Sequence, residues 1–177
     1  MIISMKKKLL IVLLVLFTTM ALFNAWTLQQ VTVLFVEEVR TGDYVIAVDH
    51  LPLTDYDKIS WFNDNKQMLQ SHYAISMEDF EKITIMEVVD GVKSVNSRWV
   101  DDYYCFNSID SDYRCVDKNL QVNIARAQDS TLIFYIHSIG GIYVQGVDGS
   151  MQKSNYEYYF DDLNDRLGES LNRWLFR

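Results

Sequence analysis

The sequence contains little proline and little glycine, with one Pro and seven Gly among 177 residues. This composition excludes collagen-like, elastic and proline-rich linker proteins. Hydrophobic residues make up 49% of the chain and charged residues 23%, which is ordinary for a domain that buries a core. Because domains usually span about 100–200 residues, the length predicts one folded domain.

The common catalytic motifs are also missing. The sequence contains no G-x-S-x-G elbow, no Walker A loop, no G-x-G-x-x-G and no H-E-x-x-H. No two of its three histidines fall within one helical turn, and the segment that starts at Asp110 has Cys115 where a calcium-binding EF-hand loop requires glycine. These absences predict a non-enzymatic protein without a cofactor or a metal site.

Basic residues are outnumbered, and the imbalance is uneven along the chain. The net charge is −8, which disfavours nucleic acid as a partner because phosphate binding needs a basic face. Residues 1–26 contain Lys6, Lys7 and Lys8 and no acid, whereas the remainder holds the other 13 basic residues and all 24 acids, a net charge of −11. A basic start followed by an acidic body is typical of a domain tethered to a membrane.

An uncharged run of 18 residues extends from Leu9 to Trp26. About 20 apolar residues cross a bilayer as a helix, and the lysines in front of the run place residues 27–177 outside the cytoplasm. We therefore predict a transmembrane anchor over residues 9–26. A cleaved signal peptide, with a small-residue site at Thr19-Met20-Ala21, and a buried soluble helix are the alternative interpretations. The continuation of the apolar run beyond that site favours the anchor.

The two cysteines, Cys105 and Cys115, both follow the predicted anchor. Thiols in an exported domain normally pair, and closing so short a loop stabilises the fold by about 2.5–3 kcal/mol in the chain-entropy model. We therefore predict a Cys105–Cys115 disulfide. Two free buried thiols are the alternative, whereas a metal site would lack ligands because no histidine lies nearby in the sequence.

Residues 27–177 carry patterns that predict an α+β domain rich in antiparallel hairpins. The polar stretch Asp101–Asn119, which holds both cysteines, is predicted to be a loop. The predicted strands are Gln30–Val39, Tyr44–His50, Lys82–Val89, Val92–Val100, Leu120–Ala127, Thr131–Ile139 and Ile142–Val147. The predicted turns lie at Gly42, Asp90-Gly91, Asp129-Ser130, Gly140-Gly141 and Asp148-Gly149.

Two amphipathic helices complete the predicted domain. The first, Asp55–Tyr73, is inserted after the second strand and capped by Thr54 or Asp55, and Lys58 and Asp64 fall largely outside its apolar stripe. The second is C-terminal, with a stripe that runs from Tyr156 to Trp174. The stripe of the first helix comprises Ile59, Phe62, Leu69 and Tyr73, and it is broadened by Trp61 and Met68.

Residues outside the apolar stripes are the candidates for a partner surface. Tyrosine is favoured at protein interfaces, and the acids of the terminal helix should face water, where they would steer a basic partner. The candidate partner-binding residues are Tyr103, Tyr104, Tyr158, Asp161, Asp162, Asp165 and Glu169.

Several short motifs carry a resemblance to a known family. They are Leu51-Pro52-Leu53-Thr54-Asp55, Lys58-Ile59, Trp61-Phe62, Asn65-Lys66, Met68-Leu69, Cys105-Phe106, Cys115, Asp117-Lys118-Asn119 and Gly141-Ile142-Tyr143. Over roughly residues 30–150 they resemble domain of unknown function 943, a family of bacterial single-span membrane proteins, although Phe62 stands where that family prefers a second Trp. The resemblance implies a single-span anchor, an exported domain and a cysteine pair, and it implies no activity.

These features together predict a single-pass protein of the bacterial inner membrane, with a cytoplasmic N-terminus and a periplasmic domain over residues 27–177. The function we expect is that of an immunity-type protein, which protects the cell by binding a basic exported toxin. The alternative is an accessory subunit that stabilises or modulates a membrane-bound regulator or an envelope assembly. An exported enzyme is a third class, and the missing catalytic motifs disfavour it.

Overall fold

The computed structural model describes residues 2–27, 29–96, 102–137 and 141–154. Within these ranges the chain forms two helices and ten strands, and the α+β class predicted from the sequence is confirmed. In chain order the elements are α1 (Ile2–Thr27), β1 (Val33–Arg40), β2 (Asp43–Val48), α2 (Asp55–Tyr73), β3 (Lys82–Glu87), β4 (Lys93–Ser94), β5 (Tyr103–Cys105), β6 (Tyr113–Asp117), β7 (Leu120–Arg126), β8 (Leu132–Ile136), β9 (Gly141–Gln145) and β10 (Met151–Ser154).

Seven strands form one large sheet in the order β1-β2-β3-β7-β8-β9-β10. All neighbours in this sheet run antiparallel except β2 and β3, which run parallel. A parallel pair needs a crossover connection rather than a tight turn, and α2 supplies it. The sheet is therefore mixed, and α2 lies between its two parallel strands in the chain.

The local signals of the sequence predict most of these elements. Thr54 caps α2, since its hydroxyl oxygen accepts a hydrogen bond from the Asp57 N–H, and the helix has the predicted bounds. The first hairpin turns at Gly42, whose φ of 82° suits glycine. The turns at Ser130 and Gly149 join β7 to β8 and β9 to β10, also as predicted.

The hairpin predicted at Asp90-Gly91 is wrong. Gly91 does adopt a φ of 73°, but β3 already has β2 on one side and β7 on the other, so a strand that follows this turn finds no free edge beside it. The turn instead leads out of the large sheet, where the Asp90 N–H donates to the Asp117 carboxylate and Lys93 Nζ donates to the Asp90 carbonyl oxygen. Of the predicted strand Val92–Val100, residues 92–96 are described and contain β4, and residues 97–100 lie outside the described residues.

The stretch predicted as a polar loop, Asp101–Asn119, instead contains the hairpin of β5 and β6. These strands form a second sheet of three strands in the order β4-β6-β5. Its polar composition hid the strands, because among its described side chains only Phe106, Cys115 and Val116 are buried, and the others are exposed or half-buried. The small sheet holds both cysteines.

Two apolar layers cover the two faces of the large sheet. On the α2 face the core is built around Ile46, Phe62, Phe80 and Phe134. On the opposite face Val45, Ala47 and Met86 pack against Phe106 and Val116 of the small sheet and its hairpin. The large sheet is thus the middle layer, between α2 and the small sheet.

Helix α1 precedes this domain. Its described apolar side chains, from Leu9 to Phe17 and at Met20, are exposed. In the part of the chain that the structure describes, no helix combines the length and the apolar character needed to cross a membrane. The predicted C-terminal helix, and with it Tyr158, Asp161, Asp162, Asp165 and Glu169, lies outside the described residues.

Candidate protein-binding groove

A groove opens between α2 and the segment that leads into β1. Its volume is about 760 Å³, which falls in the range of ligand-binding clefts. Trp61, Met68 and Tyr73 from α2 and Val31 and Val33 from the segment before and within β1 form its apolar part, and all five pack half-buried against the core. The remaining lining residues are Gln29, Gln30, Thr32, Pro52, Asp57, Ser60, Asp64 and Asn65.

The charge of this groove is entirely negative. Among the described residues, two carboxylates, those of Asp57 and Asp64, line it, and no Lys or Arg does. The Asp57 carboxylate accepts the Thr54 hydroxyl and the Asp64 carboxylate accepts the Ser60 hydroxyl, and neither makes an ion pair within the ranges that the structure describes. The groove therefore offers apolar area together with two uncompensated negative charges.

A buried lysine on the neighbouring face of α2 fixes the helix to the sheet. Lys58 is only 4% exposed, and its Nζ donates to Oε1 of Gln121 on β7 at 2.9 Å. Burial lowers the pKa of Lys58, while the charges of Glu87 and Asp55 act in the opposite direction. The sequence pattern had placed Lys58 outside the apolar stripe, which is wrong because its long aliphatic stem lets the amine reach a polar partner across the sheet.

Asp55, at the first turn of α2, makes a second contact of this kind. Its Oδ2 accepts the hydroxyl of Tyr143 on β9 at 2.9 Å, and burial together with this hydrogen bond raises the pKa of Tyr143. Gly141 makes the approach feasible, because a Cβ there would lie 2.6 Å from Cε2 of Tyr143 and 2.7 Å from Oδ2 of Asp55. Asp55 and Tyr143 both belong to motifs that carry the family resemblance and are 88 residues apart in the chain. They meet in the fold, and their contact holds α2 in position.

The structure places the predicted tyrosines on the small sheet. Tyr103 and Tyr104 are both half-buried in β5. The Tyr104 ring packs against Phe106 at 4.9 Å between centroids, and its hydroxyl donates to Oε2 of Glu37 at 2.7 Å. Burial and this hydrogen bond raise the pKa of Tyr104 well above its usual range. Tyr104 therefore has a structural partner, and contact of either tyrosine with another protein stays a prediction.

The disulfide predicted from the sequence is confirmed. Cys105 on β5 and Cys115 on β6 are directly paired in the sheet register, and their Sγ atoms are 2.01 Å apart. Cys115 is fully buried. The disulfide therefore closes the small sheet rather than a free loop.

The groove itself was not predicted from the sequence. A signal for it exists in α2, where Asp57, Trp61, Asp64 and Met68 follow each other at spacings of four, three and four and so share one helix face. The sequence pattern assigns Trp61 and Met68 to a broadened core stripe, because the pattern alone does not show that these two side chains stay partly accessible to solvent. Which chain segment lies across the groove from Trp61 and Met68 depends on the tertiary fold.

These features define the class of protein: an α+β domain with a mixed sheet, a disulfide-closed small sheet on one face and an open acidic groove on the helical face. The chain belongs to the family described as enterobacterial putative membrane protein, domain of unknown function 943, whose sequence model matches residues 4–155. This match confirms the resemblance seen in the sequence and extends it to the N-terminal segment. No curated protein and no solved structure matches the chain.

Proposed function

We propose that the chain is a non-enzymatic protein-binding domain, attached to the bacterial inner membrane, that captures a basic partner on the periplasmic side. The acidic groove beside α2 is the observation that carries this proposal. Its volume, its half-buried Trp61 and Met68 and its two carboxylates, which make no ion pair with another described residue, suit a protein segment with positive charge. The net charge of −11 over residues 27–177 adds long-range attraction for such a partner.

Attachment through residues 9–26 is part of the proposal. It is supported by Lys6–Lys8 in front of the apolar run, by the exposed apolar side chains from Leu9 to Phe17, and by the membrane-protein description of the family. We expect the segment to remain on the mature protein as a single-pass anchor. The intact mass of protein purified from membranes should include residues 5–26, whereas a mature N-terminus near Leu22 would contradict the anchor and favour a cleaved signal peptide.

The role that we propose for this binding is immunity, in which the domain neutralises a basic toxin that enters or leaves the periplasm. A steered encounter suits this role, because a protective protein must bind faster than its toxin reaches a target. One observation favours the second candidate, an accessory subunit of a membrane-bound regulator or envelope assembly. The groove is lined by Gln29 and Gln30, which follow α1 almost directly, so a partner anchored in the same membrane would lie within reach.

Photo-crosslinking in cells tests the proposal and separates the two roles. A photoreactive phenylalanine analogue at position 61 places the probe in the groove, and the same analogue at position 113, where Tyr113 is exposed on the small sheet, is the matched control. We expect a basic protein to be crosslinked from position 61 and not from position 113. Equal crosslinking from both positions, or none, would count against the groove as the binding site.

The identity of the crosslinked protein then assigns the role. For an immunity protein, cells that export the partner should lose viability when this chain is deleted and recover it when the chain is restored. For an accessory subunit, deletion should lower the level or the activity of a resident membrane protein without killing the cell. In both cases association should slow as salt concentration rises, because screening acts over about 8 Å at physiological ionic strength.

A further inference from the structure

We propose that the groove recognises an extended segment that carries two cationic side chains three positions apart, one for Asp57 and one for Asp64. This inference rests on the proposed binding function and deepens it by giving the chemistry of the bound segment. It follows from the spacing of the two carboxylates along α2 and from the apolar surface between them.

The two carboxylates are a fixed distance apart along the helix. Asp57 and Asp64 are seven residues apart in α2, and at 1.5 Å per residue their Cα atoms lie about 10.5 Å apart along the axis. Trp61 lies between them on the same face, four residues after Asp57 and three before Asp64. The groove therefore presents a carboxylate, an indole and a second carboxylate in a row.

A short extended segment can match the spacing of this row. In a polyproline II conformation, side chains three positions apart point the same way and are about 9.3 Å apart, close to the spacing of the carboxylates. The groove volume of about 760 Å³ suits a short segment, since it falls among clefts for small ligands. A side chain between the two cations would then rest on Trp61.

The charge of the groove selects the class of ligand. Both carboxylates lack an ion pair in the described part of the chain, and the groove has no basic lining residue. Lysine or arginine would gain a charge-assisted hydrogen bond at each carboxylate and a cation–π contact with Trp61. A phosphate-bearing lipid headgroup would meet repulsion at the same place, so a protein segment is the favoured occupant.

Fluorescence anisotropy with two labelled peptides tests the inference. One peptide contains Gly-Ser-Lys-Pro-Leu-Lys-Ser-Gly, with its lysines three positions apart, and the other contains Gly-Ser-Lys-Lys-Pro-Leu-Ser-Gly, with the same composition and adjacent lysines. The full chain is held in phosphatidylcholine nanodiscs, and binding to empty nanodiscs is subtracted. We expect the spaced peptide to bind more tightly by up to about fivefold, since one exposed ion pair contributes about 0.2–1 kcal/mol and 1.4 kcal/mol is tenfold.

Charge-matched variants show whether the groove causes the difference. The double variant D57N/D64N should remove the preference for the spaced peptide, and D64N alone should reduce it, whereas D110N/D112N, which removes two exposed acids on the small sheet hairpin, should leave it unchanged. Circular dichroism shows that each variant keeps its helix and sheet content. Equal binding of both peptides, or equal loss in both double variants, would overturn the inference and leave only general charge attraction. If both peptides bind equally while position 61 still crosslinks a basic partner in cells, the proposed function stands and only the spacing of the two cations is wrong. If the crosslink is also lost, both the proposed function and the spacing are wrong.

Discussion

Replacing Phe62 with alanine is expected to lower the free energy of unfolding by about 3–5 kcal/mol, the usual cost of truncating a buried aromatic side chain. Phe62 is 0% exposed and lies where α2 meets the sheet. Its ring contacts Phe134 of β8 at 5.8 Å and Phe80 at 6.4 Å between centroids, both in edge-to-face geometry. Truncation would remove both contacts and leave a cavity under α2.

Urea titration of the full chain, with pulse proteolysis as the measure of the unfolded fraction, gives the free energy of unfolding of the variant and of the unaltered protein. Tyr56→Ala on the same helix is the matched control, because Tyr56 is 71% exposed and its loss should change stability by less than about 0.5 kcal/mol. Phe62→Leu should cost less than Phe62→Ala because it refills part of the cavity. If Phe62→Ala lowers the free energy of unfolding no more than Tyr56→Ala does, the packing of α2 does not depend on this part of the core.

The elements that local sequence determines were predicted well. Helix α2 combines a cap at Thr54 with a stripe of period 3.6, and both signals lie within a few residues of the structure that they specify. The turns at Gly42 and Gly149 need a positive φ that glycine adopts without strain. In each case the residues that interact are close in the chain, so the sequence pattern contains the information.

The pairing of distant strands was not predictable in the same way. Asp90-Gly91 has the composition of a hairpin turn, yet its two flanking segments enter different sheets because β2 and β7 occupy both edges of β3. The parallel pairing of β2 with β3 likewise depends on α2 packing across the sheet. Local propensity cannot determine which strand occupies an edge, since that depends on burial of the whole apolar surface.

The candidate site was missed for a related reason. The groove lies between α2 and a segment that precedes α2 by two strands in the chain. The contacts that hold α2 in place link Lys58 to Gln121 and Asp55 to Tyr143. Each of these residues is polar and has no local pattern that marks it as buried. Only the short motifs that carry the family resemblance singled out Asp55, Lys58 and Tyr143, without showing that they meet in the fold.

Glu37 provides the second large expected effect, because it fastens the small sheet to the edge of the large one. This glutamate is 8% exposed, and its carboxylate accepts three hydrogen bonds, from the Tyr104 hydroxyl and from the N–H groups of Asn107 and Ser108. Phe35, two residues earlier on β1, packs against Phe106 beside it, with 5.2 Å between the ring centroids. The carboxylate and this aromatic contact together close the interface between the two sheets.

Glu37→Ala is therefore expected to cost about 3 kcal/mol, since three donors lose a charged acceptor. A hydrogen bond to a charged group contributes about 1.5–3 kcal/mol, and water recovers part of the loss at the exposed Asn107 and Ser108. Tyr104→Phe, which removes one of the three donors and keeps the ring, should cost about 1 kcal/mol. The neighbouring Glu38→Ala is the control, because Glu38 is exposed and accepts one hydrogen bond, from the Gly42 N–H. The same urea titration measures all three, with the disulfide kept oxidised.

Hydrogen exchange shows where the loss acts. With Glu37 removed, the amides of β5 and β6 should exchange faster than those of β7 and β8, because the small sheet loses its hydrogen bonds to β1 while the α2 face of the large sheet stays intact. The Cys105–Cys115 disulfide holds β5 to β6 and not to β1, so it cannot replace that link. Uniform acceleration across both sheets would show instead that Glu37 supports the whole domain, and an effect no larger than that of Glu38→Ala would show that the aromatic contact alone holds the two sheets together.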